Sequence, residues 1–240
     1  MMHRCRWVLT LCAVAAVALI AAPSAAANVP GFYSITMQSG KTFHLVSGAN
    51  HNLINSPTDD ALITLSQSAS GAAHLPFKLP AYGVRYSTVQ VNSNGTLTFG
   101  STGATPAFGN QPLPTTDFTA PTMFPFWDDL FFDPADTSLP YQQGIFTRTT
   151  GEAPHRTFTI SWQGHAFGNP AYAVLAQVIF HQGSQNVQYR YGARDNQGTS
   201  APSETIGIQL GGPSHFRQIA FNPPPPGVVQ PGTQFTLTHH

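Results

Sequence analysis

The stretch Val89-Gln-Val-Asn-Ser-Asn-Gly-Thr-Leu-Thr-Phe-Gly100 decides the fold class. Val89 and Val91 alternate with Gln90 and Asn92, Asn94-Gly95 supplies a turn, and Leu97 and Phe99 alternate with Thr96 and Thr98. A period of two sends one set of side chains to a buried face and the other to a wet face, which the 3.6-residue period of a helix cannot do. Asn-Gly favours positive φ at both central positions, so a type I′ turn is expected, whose twist matches the flanking strands. Thr88–Ser93 should therefore pair with Thr96–Gly100, with Val89, Val91, Leu97 and Phe99 facing inward.

The same alternation recurs on either side of this hairpin. Phe158, Ile160 and Trp162 fall on one face and Thr157, Thr159 and Ser161 on the other, and Val187, Tyr189 and Tyr191 oppose Gln188 and Arg190. Further β-rich runs are Thr42–Val46, Ala61–Leu65, Thr122–Trp127, Gly144–Thr149, Ala173–His181, Thr205–Gln209, Gln218–Phe221 and Gln234–Thr238. Gly, Pro and Asn clusters separate them, and no segment carries a capped helical period. The expectation is an all-β chain: one antiparallel β-sandwich, or a flattened barrel, of about 10–13 short strands. Pro223–Pro226 reads as a stiff extended connection before the last strand. No repeat or long linker marks a second domain, so residues 28–240 are expected to form a single unit.

Residues 1–27 read differently. His3, Arg4 and Arg6 precede the apolar run Trp7–Ala22, and Pro23–Ala27 is small-residue rich. A basic start, a short apolar core and a small-residue exit are the pattern of a secretory signal peptide, with cleavage expected after Ala27 or Ala26. The apolar run is shorter than the ~20 residues a membrane span needs. Cys5 and Cys12 are the only cysteines, so the mature chain would hold no disulfide, thiol nucleophile or Cys-ligated zinc. Losing Arg4 and Arg6 leaves eight basic against ten acidic side chains, which excludes the basic face that nucleic acid or an anionic membrane surface requires. Charged residues make up 8% of the chain, against a usual ~25%. A neutral polar surface therefore provides the solubility and opposes self-association only weakly.

The chemistry-bearing residues are sparse. No G-x-S-x-G, H-E-x-x-H, P-loop or dinucleotide fingerprint occurs. Paired glutamates of the glycosidase kind are lacking too, since only Glu152 and Glu204 are present. His44, His51, His74, His155, His165, His181 and His215 are scattered, and His239-His240 ends the chain. The one concentrated polar feature is FWDDLFFDPAD, which carries Asp128, Asp129, Asp133 and Asp136. Calcium takes several oxygen ligands, often from closely spaced aspartates, so these four are the candidate calcium ligands. Their spacing matches no calcium loop, and Asp133-Pro134 is an ordinary turn starter. The expected role is a turn whose carboxylates accept backbone hydrogen bonds, with no metal or other cofactor.

Over residues 75–209 the sequence resembles the nidogen-like (NIDO) extracellular domain and its bacterial secreted relatives. The resemblance runs through LPFKLPAYG, VQVNSNGTLTF, NQPLP, FPFWDDL, TFTISW, AQVIFHQGSQNVQYRY and ETIGIQ. SNG…F followed by PFWDDL is its most telling part. Ala81, before Tyr82, stands where an aromatic is expected, and cysteine-rich neighbours are missing. The resemblance implies an extracellular β domain with a role in adhesion or matrix contact, and it brings no catalytic residues.

Taken together, the expected function is a secreted, non-catalytic interaction domain that contacts extracellular protein or glycan, or further copies of itself, at a cell surface or matrix. It would act outside the cell or in a periplasm. An alternative is a calcium-assisted carbohydrate-binding module using Trp127, Phe131 and Phe132 as its rings. A secreted hydrolase, marked by a buried carboxylate beside a histidine, is the third. Trp127 and Trp162 are expected in the core.

Overall fold

Alternating apolar residues build two antiparallel sheets that share one interior. The computed structural model describes residues 32–100, 106–192, 203–212, 215–222 and 229–240. The expected signal peptide, residues 1–27, and Pro223–Pro226 lie outside the described residues. In chain order the strands are β1 (Tyr33–Gln38), β2 (Leu62–Ser66), β3 (Leu79–Ala81), β4 (Val84–Tyr86) and β5 (Thr88–Asn92). They continue as β6 (Leu97–Phe99), β7 (Thr122–Trp127), β8 (Leu130–Phe131), β9 (Gly144–Thr150) and β10 (Thr157–Ala166). The last five are β11 (Asn169–His181), β12 (Val187–Tyr191), β13 (Thr205–Gln209), β14 (Phe216–Phe221) and β15 (Gln234–His239).

A seven-stranded sheet runs β1-β15-β12-β11-β10-β8, with β9 also on β10 beside β8. A six-stranded sheet runs β14-β13-β7-β6-β5-β2, and β3 and β4 form a separate hairpin. Neither sheet closes into a barrel, so the architecture is a sandwich. Its interior takes Phe158, Trp162, Phe180, Tyr189 and Tyr191 from one sheet and Val89, Val91, Leu97, Phe99 and Phe126 from the other. Trp162 Nε1 donates to the Asn92 carbonyl at 2.9 Å, so the ring is buried without orphaning its polar atom.

The β5–β6 hairpin has the expected register, with Val89 opposite Phe99 and Val91 opposite Leu97. Its turn corrects the sequence reading. Gly95 has φ 75°, but Asn94 is not among the residues with positive φ, so no type I′ turn forms. The loop is instead three residues long. Asn92 N donates to Thr96 O at 2.9 Å and Gly95 N to Asn92 O at 3.1 Å, while Asn94 N donates to Asn92 Oδ1 at 2.9 Å. Asn92 thus supplies the local acceptor that an Asx turn needs. Two consecutive positive φ angles occur at Tyr82 (47°) and Gly83 (77°), where a two-residue turn joins β3 to β4. Tyr82 N donates to the Tyr33 hydroxyl at 3.1 Å, holding this uncommon conformation in place.

Thr42–Val46, expected as a strand, is not one. The segment lies across the outer face of the seven-stranded sheet as a strap, and side chains satisfy its backbone. Val46 N donates to Gln163 Oε1 and Gln163 Nε2 to Val46 O, both at 2.8 Å. Gln177 Nε2 donates to His44 O at 2.8 Å. A segment crossing a sheet face has no neighbouring strand to pair with, so the glutamine amides do that work. The six-stranded sheet uses the same device. Gln209 accepts from Thr115 N at 3.0 Å and donates to Thr115 O and Phe118 O at 2.8 and 3.1 Å.

The segment held by Gln209 covers a second, smaller core of Leu113, Phe118, Phe124 and Trp127. β7 serves both interiors, with Met123 and Phe126 in the main core and Phe124 and Trp127 in this one, and its register against β13 shifts between Phe124 and Trp127. Pro125, which cannot donate to a ladder, lies within the shift. Trp127 is therefore a core residue, as expected, but of this outer cluster. Strands β1, β3, β4 and β8 escaped the sequence reading: β3 contains a proline and β8 has two residues.

Candidate functional site

The aspartate stretch splits in two. Asp133 and Asp136 serve their own turn. Asp133 Oδ1 accepts from Ala135 N at 2.9 Å, and Asp136 accepts from Ser138 N, Ser138 Oγ and Gln143 Nε2 at 2.7–2.8 Å. The Ser138 backbone bond, then its hydroxyl, holds the Asp136 carboxyl below the usual range. Asp128 caps Asp129 N at 2.9 Å and accepts from Ser203 Oγ at 2.6 Å. The expected turn with carboxylates accepting backbone hydrogen bonds is what these three residues form.

Asp129 goes elsewhere. It meets Asp59 and Asp60, which precede β2 and which sequence reasoning did not single out. Burial, and after it the charges of Asp59, Asp60 and Asp128, push the Asp129 carboxyl up to about 6. Asp59 is also raised, first by burial and then by Asp60. Asn94 ties this corner together: Nδ2 donates to Asp60 Oδ1 at 2.7 Å and Oδ1 accepts from Leu130 N at 3.0 Å. The SNG turn and the WDDL segment are thus one local assembly, joined through space and separated by 36 residues in the chain. Among the described residues no three His, Cys, Asp or Glu side chains gather as a metal donor set. Asp136, which is partly exposed, has the buried His165 as an electrostatic neighbour.

The rings proposed for a saccharide platform do not share a plane in solvent. Trp127 and Phe132 are fully buried, and only Phe131 is partly exposed, packed on His165 and Phe167 at 5.5 and 6.2 Å.

A cleft of about 370 Å³ lies instead on the outer face of the seven-stranded sheet, beside the strap. Registers explain its lining. Thr157 faces His181 and Thr159 faces Ile179 across β10–β11, and Thr150 and Arg148 extend these rows onto β9. On β12, Gln188 faces Ile179 and Arg190 faces Gln177. His44 and Val46 of the strap form one wall. Arg190 Nε and Nη2 donate to Gln234 Oε1 at 3.0 and 2.6 Å, and Nη1 donates to Thr42 O at 3.1 Å. Burial lowers the Arg190 pKa from its ordinary value. Among the described residues no carboxylate lines the cleft. Sequence periodicity already sends Arg190 to a wet face; what it lacks is the register that sets Arg148 on the same face.

The fold is thus an antiparallel sandwich whose outer sheet face carries a polar cleft walled by a side-chain-pinned strap. A family model described as NIDO related matches residues 32–230. The chain belongs to the NIDO-related family, and it is an extracellular-type interaction domain. The matched region extends well beyond residues 75–209, where the resemblance is legible by eye, and takes in β1 and the strap. No curated protein and no solved structure matches the chain. Among the described residues no helix is long and apolar enough to cross a membrane.

Proposed function

We propose that the chain is exported, loses its first 27 residues, and acts as a non-catalytic interaction domain contacting glycan or protein at a cell surface or matrix. The observation that carries this reading is the cleft. Its lining offers two guanidinium groups, two imidazoles, and threonine and glutamine side chains, held on strands or pinned by hydrogen bonds. Such a surface recognises polar groups with little reorganisation. Its described lining offers no carboxylate to serve as the acid, base or nucleophile that glycoside hydrolysis commonly uses.

The test is a binding experiment with clustered copies, because avidity raises a weak single-site affinity to a measurable one. The mature chain, displayed on beads, should retain cell-surface or matrix material, and free mature chain should compete it off. Turnover of a glycan, ester or peptide substrate, lost on replacing one carboxylate or histidine, would overturn the reading.

A further inference from the structure

Building on that interaction reading, we infer that the outer-face cleft binds a polyanionic glycan, a saccharide chain with repeated carboxylate or sulfate groups. Charge is the first reason. Among the described residues the three side-chain hydrogen bonds of Arg190 go to neutral oxygens of Gln234 and Thr42, which orient its charge without compensating it. A guanidinium has five donors, which leaves two for a ligand. Arg148 is exposed. β9, β10, β11 and β12 lie side by side, so the two arginines stem from strands roughly 14 Å apart at about 4.8 Å per step. That spacing suits a chain with charges along its length better than one small ion.

The main cluster of opposing charge sits elsewhere. The Asp59, Asp60 and Asp129 corner adjoins Leu130, which pairs with Ala166 at the far end of β10 from Thr157 and Thr159. Thr159 and Ala166 are roughly 20 Å apart along the strand, well beyond the ~8 Å screening length in physiological salt. The cleft therefore keeps a local positive field on a chain of almost no net charge.

Polarity is the second reason, and it selects a saccharide over a protein. Thr157, Thr159 and Gln188 are partly exposed and present hydroxyl and amide groups that match sugar hydroxyls. The aliphatic side chains in the lining are Val46 and Ile179, 4% and 5% exposed, and among the described residues no Phe, Tyr or Trp lines it. Protein interfaces draw most of their energy from such aromatic and apolar anchors.

Titration calorimetry of the mature chain with an oligogalacturonate, its methyl ester, a sulfated oligosaccharide and polyglutamate tests the assignment. One or both acidic saccharides should bind, more weakly as salt rises, with the ester at least tenfold weaker. Arg148→Gln should lose at least tenfold while its melting temperature stays that of wild type. Arg190→Lys keeps the charge but loses the fork, and should also weaken binding. The assignment falls if neither acidic saccharide binds, if the ester binds as tightly, if polyglutamate competes equally, or if Arg148→Gln binds normally. It falls equally if Arg148→Gln instead abolishes self-association, which would make the acidic corner of a second copy the occupant. If bead-displayed chain still captures surface material while no polyanion binds, the cleft assignment fails and the interaction reading stands.

Discussion

Gly95 carries two constraints at once. Its φ of 75° belongs to the left-handed region, and a Cβ there would run into the backbone carbonyl of Phe126 on β7. Phe126 N donates to Gly95 O at 3.3 Å, so the two backbones are bonded where they touch. Gly95→Val should cost about 3 kcal/mol or more from strain and overpacking, read as a lower denaturant midpoint. Even Gly95→Ala should lose most of this, because the opposing atoms are backbone and cannot swing away. Asp129 gives a pH prediction of defined sign. Its folded pKa is about 6 against an ordinary 3.8, so the folded chain binds more protons than the unfolded one between those values. Stability falls as pH rises through this window. Asp129→Asn should therefore melt above wild type at pH 7.5, with the gap closing towards pH 4. If calcium raises the wild-type melting temperature and the substitution abolishes that rise, the corner holds a cation.

At the scale of elements, the glutamines of the outer faces set what lies over each sheet. Gln163 bonds both the N–H and the C=O of Val46 and also the Gln142 carbonyl at 3.1 Å. Gln163→Leu keeps the volume and strands these groups without partners, which should cost about 2–4 kcal/mol. Amide exchange at Val46 should quicken at the same time, and unchanged exchange there would show that the strap is held by other means. Gln163 lies in a sequence that reads as a plain strand, so nothing in its local pattern marks it as a clamp. The failure of Thr42–Val46 to form a strand has the same origin. Propensity speaks for an extended backbone, but pairing needs a free sheet edge. β15 occupies the edge of β12, and β1 in turn occupies that of β15.

For the whole molecule, the sparse charge is sorted rather than spread. Asp59, Asp60, Asp128, Asp129, Asp133 and Asp136 make up six of the ten acidic residues, and they cluster towards the β8 end of β10. Arg148 and Arg190 lie on the outer face, level with Thr159 and Ser161 of β10. The N-terminus makes a separate prediction: protein recovered from the exported fraction should begin at Asn28 or Ala27. It should also melt identically with and without reductant, since both cysteines precede residue 28. Exported material that begins at Met1 would contradict the signal-peptide reading.

By itself the sequence determined the class of fold, the hairpin at Val89–Phe99, the inward faces of β10 and β12, and the burial of Trp127 and Trp162. These are short-range properties. Period-two alternation and turn residues act within one or two strands, and a large apolar ring is buried in whichever fold forms. The NIDO-related kinship was legible too, in the SNG and WDDL segments, although not the reason they travel together. Tertiary structure alone decided that reason, because the Asn94 carboxamide bridges Asp60 and Leu130 only after β5–β6 and β7 have paired. Tertiary structure also decided the strap, the second core around Trp127 and the outer-face cleft. Arg148 and Arg190 are 42 residues apart in the chain, and each alone is an ordinary wet-face arginine. Only the pairing register of β9 through β12, which is set by long-range hydrogen bonds and the shared interior, puts them on one face, in a cleft whose described lining holds no acid.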